Sequence, residues 1–173
     1  MSGYTQQEMY WTELVQLKSQ SYYLDAYQIE CERYDNLLKM FLAVVSSSSI
    51  ATWAIWQRFG MLWGGIIAVS QVLNAIKSFL PWERRTREIA SLGKNLADVL
   101  LCAEQNWYAV AAGELTERQI HNLVIDLRRR RNDAENTHLQ GHSLPVKDKH
   151  RTTAAKRTKE YFRVNYGIGG GHA

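Results

Sequence analysis

The sequence predicts an all-α chain in which a hydrophobic two-helix hairpin is flanked by long helices and followed by a basic helical C-terminal region. Three observations predict it. Apolar residues recur at spacings of three, four and seven through most of the chain, and no run alternates as a strand would. No glycine or proline interrupts residues 4 to 59, so nothing there forces a helix to stop. Charge is excluded from one internal stretch, since residues 40–76 hold Arg58 alone. With 173 residues, 46% of them hydrophobic and 22% charged, the chain has the length and composition for one folded core.

The first helix is expected from about Thr5 to Lys39. Tyr10, Leu14, Leu17, Leu24, Cys31, Tyr34 and Leu38 mark its apolar stripe, and it is expected to continue into the apolar run that follows. Residues 1–39 therefore form an N-terminal amphipathic helix, and residues 40–76 split into two apolar segments, Met40–Trp56 and Phe59–Ile76, hinged at Gln57–Gly60. Each segment is about 17 residues, or about 26 Å of helix, at the lower limit for crossing a hydrocarbon core. Arg33 and Lys39 before the hairpin and Lys77, Arg84, Arg85 and Arg87 after it follow the positive-inside pattern. Trp53, Trp56 and Trp63 lie near the hinge, and Tyr34, Phe41, Phe79 and Trp82 near the other end, as interfacial aromatics do. A transmembrane hairpin with both flanks on the cytoplasmic side is the expectation. The other reading of so dry a hairpin is the buried centre of a soluble bundle.

Residues 77–140 are expected to form cytoplasmic helices. Pro81 suits the first turn of a helix from Trp82 to Ala112, whose stripe is Ile89, Leu92, Leu96, Val99, Ala103, Trp107 and Val110. Gly113 is placed to end it, and Thr116-Glu117-Arg118-Gln119 reads as a capping box that opens the next helix. Ile120, Leu123, Val124 and Leu127 give that helix its apolar face before it runs into Arg128–Arg131. After the loop GHSLP, residues 141–173 form a basic segment, helical over about Val146–Tyr166, with a glycine-rich terminus.

The net charge of +4 is unevenly spread: residues 1–39 carry three Lys/Arg against six Asp/Glu, and residues 77–173 carry seventeen against eleven. This places candidate anion-binding residues at Arg128, Arg129, Arg130, Arg131, Lys147, Lys149, Arg151, Lys156 and Arg157. A nucleotide messenger, an oligonucleotide or lipid headgroups are possible ligands, and a solvated basic helix is the plain reading.

Inside the hairpin, polar residues are the candidates. Gln71 and Asn74, with Ser49 and Thr52, are candidate pore-lining residues, because large amides in a bilayer need water or partners. Gly60, Gly64 and Ala68 form a small-x-x-x-small pattern suited to close helix packing, and Ser48 is grouped with them.

No enzyme signature is found and no cofactor is expected. The glycine-rich end lacks a Walker lysine, His138 and His142 have no third ligand nearby, and no nucleophile–base pair has sequence support. Cys31 and Cys102 sit in no metal or redox spacing and read as inert core thiols. The opening MSGYTQQEMYW has neither a basic n-region nor an apolar h-region, so no secretory signal is expected.

The segments IECERYDNLLKMFLAVVSSSSIATW, PWERRTREIASLGKNLADVL and NWYAVAAGELTERQIHNLVIDLRRRR, with the glycine-containing second span ending at a proline, resemble the SLATT domains. These are two-transmembrane effectors found beside bacterial nucleotidyltransferases and SLOG-type sensors. The resemblance covers nearly the whole chain in element order, without a catalytic motif to anchor it. It implies a bacterial anti-phage effector that forms homo-oligomers in the inner membrane and opens a pore when a sensor signals infection. The alternative drawn from the residues is a soluble all-α module that binds nucleic acid or a partner protein through its basic C-terminus.

Overall fold

A computed structural model of the chain describes residues 5–46, 60–77, 82–139 and 144–167. They form five helices, α1 (Gln6–Ser46), α2 (Gly60–Lys77), α3 (Trp82–Ala111), α4 (Glu117–Leu139) and α5 (Asp148–Tyr166). No strand occurs among the described residues, and the fold class is all-α.

The helix ends follow local chemistry. Gly113, at φ +71°, lets the chain turn into the left-handed region that a side chain resists. Its amide reaches the Val110 carbonyl and the Glu114 amide reaches the Ala109 carbonyl, the paired bonds of a Schellman motif. Thr116 and Gln119 then cap α4 reciprocally: the Thr116 amide donates to Gln119 Oε1 at 2.8 Å, and the Gln119 amide donates to Thr116 Oγ1 at 3.4 Å. A second capping box, which the sequence reading missed, joins Thr5 and Glu8 at the start of α1. Gly167, at φ +65°, closes α5.

The chain divides into two compact units, one made of residues 1–28 and 87–173 and the other of residues 29–86. The division falls within α1, between Gln28 and Ile29. In the first unit four helices alternate in direction. Gln7 and Tyr10 reach the Val110 and Ala103 carbonyls, which sets α1 antiparallel to α3. Glu13 and Gln20 meet Arg128 and Glu135, so α4 runs parallel to α1. Trp11 against Phe162 and Tyr23 against His150 set α5 antiparallel to α1. The core is the predicted stripes meeting: Tyr10, Leu14, Leu17 and Leu24 face Ile89, Leu92, Leu96, Val99, Ala103 and Val110, with Ile120, Val124 and Leu127 closing over them.

The second unit is different. Beyond the buried Cys31, the α1 stripe emerges: Tyr34 is exposed and Leu38 half-buried. Ile29, Leu37, Met40, Phe41 and Val44 on α1 and Met61, Val69 and Val72 on α2 are also exposed. No described helix is long and apolar enough to cross a membrane. The expected transmembrane hairpin therefore finds no support in the described residues. The physical reason lies in α2, whose 18 residues span about 27 Å and include Ser70, Gln71, Asn74 and a terminal Lys77. Of the first expected segment, Met40–Ser46 forms the end of α1, and the remainder lies outside the described residues. Cys102 is half-buried where a core thiol was expected, and its sulfur accepts a bond from Asn106 at 3.7 Å.

Leu96 is fully buried and Leu101, on the same helix, is 59% exposed. Leu96→Ala is expected to lower stability by about 2–5 kcal/mol and Leu101→Ala by less than about 0.5 kcal/mol, read from urea denaturation midpoints.

Candidate functional site

Among the nine basic candidates the structure makes a sharp division. Glu13, on the apolar face of α1, is buried, and its carboxylate takes Arg128 Nε and Nη2 on Oε1, each at 2.6 Å. Arg131 Nη1 reaches its other oxygen at 3.3 Å. Two guanidinium groups thus neutralise one carboxylate that desolvation would otherwise penalise. Arg130 pairs with Asp126 at 2.7 Å. On α5, Arg157 stacks over the Tyr22 ring at 4.2 Å and lies 3.9 Å from Asp25. Lys147 sits 5.5 Å from the Tyr27 ring centroid, and Arg151 lies 4.0 Å from Asp148. Two arginines of the run that suggested an anion site, Arg128 and Arg131, hold α4 against α1, while Arg130 pairs within α4. Arg129, Lys149 and Lys156 are exposed, and so are Arg128, Arg130, Arg151 and Arg157 beside their partners.

A second group joins α1, α3 and α5. The Lys18 ammonium stands 3.5 Å from the Tyr161 ring centroid and 3.8 Å from Glu104 Oε1, and Tyr161 donates to that same oxygen at 2.7 Å. Burial pulls the Lys18 ammonium below its ordinary range, against the opposing negative charge of Glu104. Burial first, and then the hydrogen bond and charge of Glu104, hold the Tyr161 phenol well above the usual tyrosine range. Burial and then Glu104 also raise Tyr166, and burial raises Tyr10. Next to this group Trp11 packs with its ring centroid 4.8 Å from those of Trp107 and Phe162 and 5.5 Å from that of Tyr166. The arrangement fastens α5 to α1 and α3. It offers a cation in an aromatic cage that the chain itself fills.

In the second unit, Gln71 is exposed on α2 and Asn74 is a helical residue three positions on. Gly60 begins α2, and Gly64 and Ala68 are exposed. A Cβ placed at Gly64 meets no atom within 4 Å, so close packing over the small-residue pattern does not occur within the described part of one chain. Ser48, Ser49 and Thr52 lie outside the described residues, as do Arg58, Trp53, Trp56 and His142. His138 is engaged by Asn95 at 2.7 Å. Among the described residues no three His, Cys, Asp or Glu side chains converge to hold a metal ion.

Comparison with known protein families, characterised proteins and solved structures returns no match. The Glu13 clamp and the Lys18–Glu104–Tyr161 group escaped the sequence reading. One signal for the first was present: Glu13 lies three residues after Tyr10 and four before Leu17, which puts a carboxylate on the buried face and demands a cationic partner.

Glu13→Ala is expected to destabilise the chain by about 1–3 kcal/mol, because it removes charge-assisted bonds to two arginines. Arg129→Ala is expected to change stability by less than about 0.5 kcal/mol. Both are read from thermal or urea unfolding. Stability is also expected to fall as pH rises above about 10, where tyrosines of the unfolded chain ionise while Tyr10, Tyr161 and Tyr166 are held protonated by the fold. Lys18 acts in the opposite sense, since its penalty fades as the unfolded lysine also loses its proton. Three groups against one leave a net alkaline loss. Tyr10→Phe and Tyr161→Phe are each expected to make the decline shallower, measured as unfolding midpoints from pH 8 to pH 11.

Proposed function

We propose that this chain is a membrane effector of a bacterial anti-phage defence system. It oligomerises in the inner membrane with both termini on the cytoplasmic side, and a sensor or nucleotide signal triggers it to form a pore or disrupt the membrane. One observation carries the membrane part. The second unit exposes Ile29, Tyr34, Leu37, Met40, Phe41, Val44, Met61, Val69 and Val72, while the first unit buries its stripes in a packed core. So much apolar surface on a unit this small calls for a cover of lipid or of further copies. The single charge within residues 40–76 and the basic flanks support the same reading. The defence role rests on the resemblance of the chain to SLATT domains.

The polar residues of α2 shape how insertion would work. A lone α2 is short and exposes Gln71, so a monomer would present that amide to lipid at considerable cost. Assembly removes that cost if copies share Gln71 and Asn74 at a wet axis, with Ser49 and Thr52 as further lining, and pack through Gly60, Gly64, Ala68 and Ser48. Membrane insertion and oligomer formation are then one event. The exposed faces of Gly64 and Ala68 within the protomer leave this surface available to a neighbour.

The shortness and polarity of α2 favour a second reading, a soluble all-α module that uses its basic residues to bind nucleic acid or a partner protein. Fractionation of cells expressing the full chain separates the two. Retention in the membrane pellet after alkaline carbonate washing is the expected result, and recovery in the soluble fraction without detergent removes the membrane reading. Gln71→Leu combined with Asn74→Leu is expected to suppress toxicity on overexpression while leaving the chain in the membrane pellet. Undiminished toxicity would take those two residues out of the pore.

A further inference from the structure

We infer that α5 is a releasable strap: it opens as one unit from a core of α1, α3 and α4 that stays folded, and its release uncovers tryptophan and tyrosine side chains on α1. The inference starts from the two stripes that α1 carries within the first unit. Tyr10, Leu14, Leu17 and Leu24 are all but fully buried and belong to the core shared with α3 and α4. Trp11, Val15, Lys18 and Tyr22 follow one another at spacings of four, three and four and are only half-buried. Three residues of α5 lie on this second stripe. Phe162 packs against Trp11, Tyr161 meets the Lys18 ammonium, and Arg157 lies over the Tyr22 ring. The first stripe serves the core, and the second serves α5.

What α5 brings to its seat differs in kind from what α4 brings to the core. α4 buries Ile120, Val124, Leu127 and Ala134, while α5 buries His150, Ala154, Thr158 and Phe162. Apolar area removed from water is the main force holding a helix down, and of those four on α5 only Phe162 is a large apolar side chain. The other joints are polar or cationic. The Tyr23 hydroxyl donates to the Pro145 carbonyl and accepts from the Lys147 amide, and the Tyr161 hydroxyl donates to Glu104. Lys147 sits beside the Tyr27 ring, and His150 meets the Tyr23 and Tyr27 rings edge-on. Tyrosine, tryptophan and arginine are the residues enriched where separately folded partners meet. Each of these polar groups exchanges its protein partner for water when α5 lifts, so little is lost by opening compared with opening the leucine core. At Lys18 opening relieves a cost, because burial disfavours its ammonium in the closed state. A helix held this way is the kind of element that opens as a unit of its own below the global stability.

The inference concerns the first unit alone and depends on neither reading of the chain's function. Amide hydrogen exchange of the purified full-length chain, read by mass spectrometry, tests it. Peptides within α5 are expected to share one protection factor, at least about a hundredfold below that of the slowest α3 and α4 peptides. Two full-length variants distinguish a strap from a weaker part of one cooperative core. Tyr23→Phe, which removes the bonds to Pro145 and Lys147, is expected to lower protection in α5 about tenfold and to leave α3 and α4 unchanged. Ile89→Val, at a buried core position of α3, is expected to lower protection in α3 and α4 about fivefold and to leave α5 unchanged. Equal protection across α3, α4 and α5, or a loss shared by all three in either variant, would overturn the strap. Exchange of α5 at the rate of an unstructured chain would overturn it as well, since a strap has to close.

Discussion

An unbroken α1 is the constraint on which the rest of this chain depends. Forty-one residues without glycine or proline keep one helical register from Gln6 to Ser46. A single stripe therefore has to serve two environments. Over its first half it supplies Tyr10, Leu14, Leu17 and Leu24 to the core and receives α3, α4 and α5 in turn. Past Cys31 the same spacing brings Tyr34, Leu37, Phe41 and Val44 to exposed positions. Propensity alone does not hold so long a helix in water, since helical stability in proteins comes mostly from packing of an apolar face. The packed half has its apolar partners within the chain, and the half past Cys31 leaves large apolar side chains exposed.

Polar contacts give the first unit its uniqueness. Apolar stripes of this kind tolerate slips in register, because any helix face of the right width fills the groove. Glu13 tolerates none: a buried carboxylate is acceptable only where both oxygens meet cations, and Arg128 and Arg131 provide that at one register of α4. The Tyr10 hydroxyl fixes α3 in the same way by donating to the Ala103 carbonyl at 2.9 Å. Tyr161, Lys18 and Glu104 fix α5. Two arginines of the run that looks from the sequence like a ligand site, Arg128 and Arg131, are thus spent on assembly.

Much of the fold was legible in the sequence because its signals are local. The stripes of α1, α3 and α4, the Gly113 stop and the Thr116–Gln119 cap each depend on residues a few positions apart. The roles of the candidate residues were less legible because they depend on distant partners. Arg128 and Arg131 meet a carboxylate more than a hundred positions away, which no spacing rule reveals. The expectation of a transmembrane hairpin came from lack of charge: α2 is helical as expected, but it carries Ser70, Gln71 and Asn74, and no described helix is long and apolar enough to cross a membrane. Lack of charge and high apolarity are different properties, and α2 has more of the first than of the second.

The central claim is that the apolar residues left open in the second unit are covered by lipid in the working protein. Photolabelling the full chain in native membranes with a carbene probe confined to the hydrocarbon phase tests it directly. The account predicts label on Leu37–Val44 and on Met61–Val72, with the first unit unmarked. Label absent from residues 29–86, under conditions that mark a resident membrane protein, would contradict it.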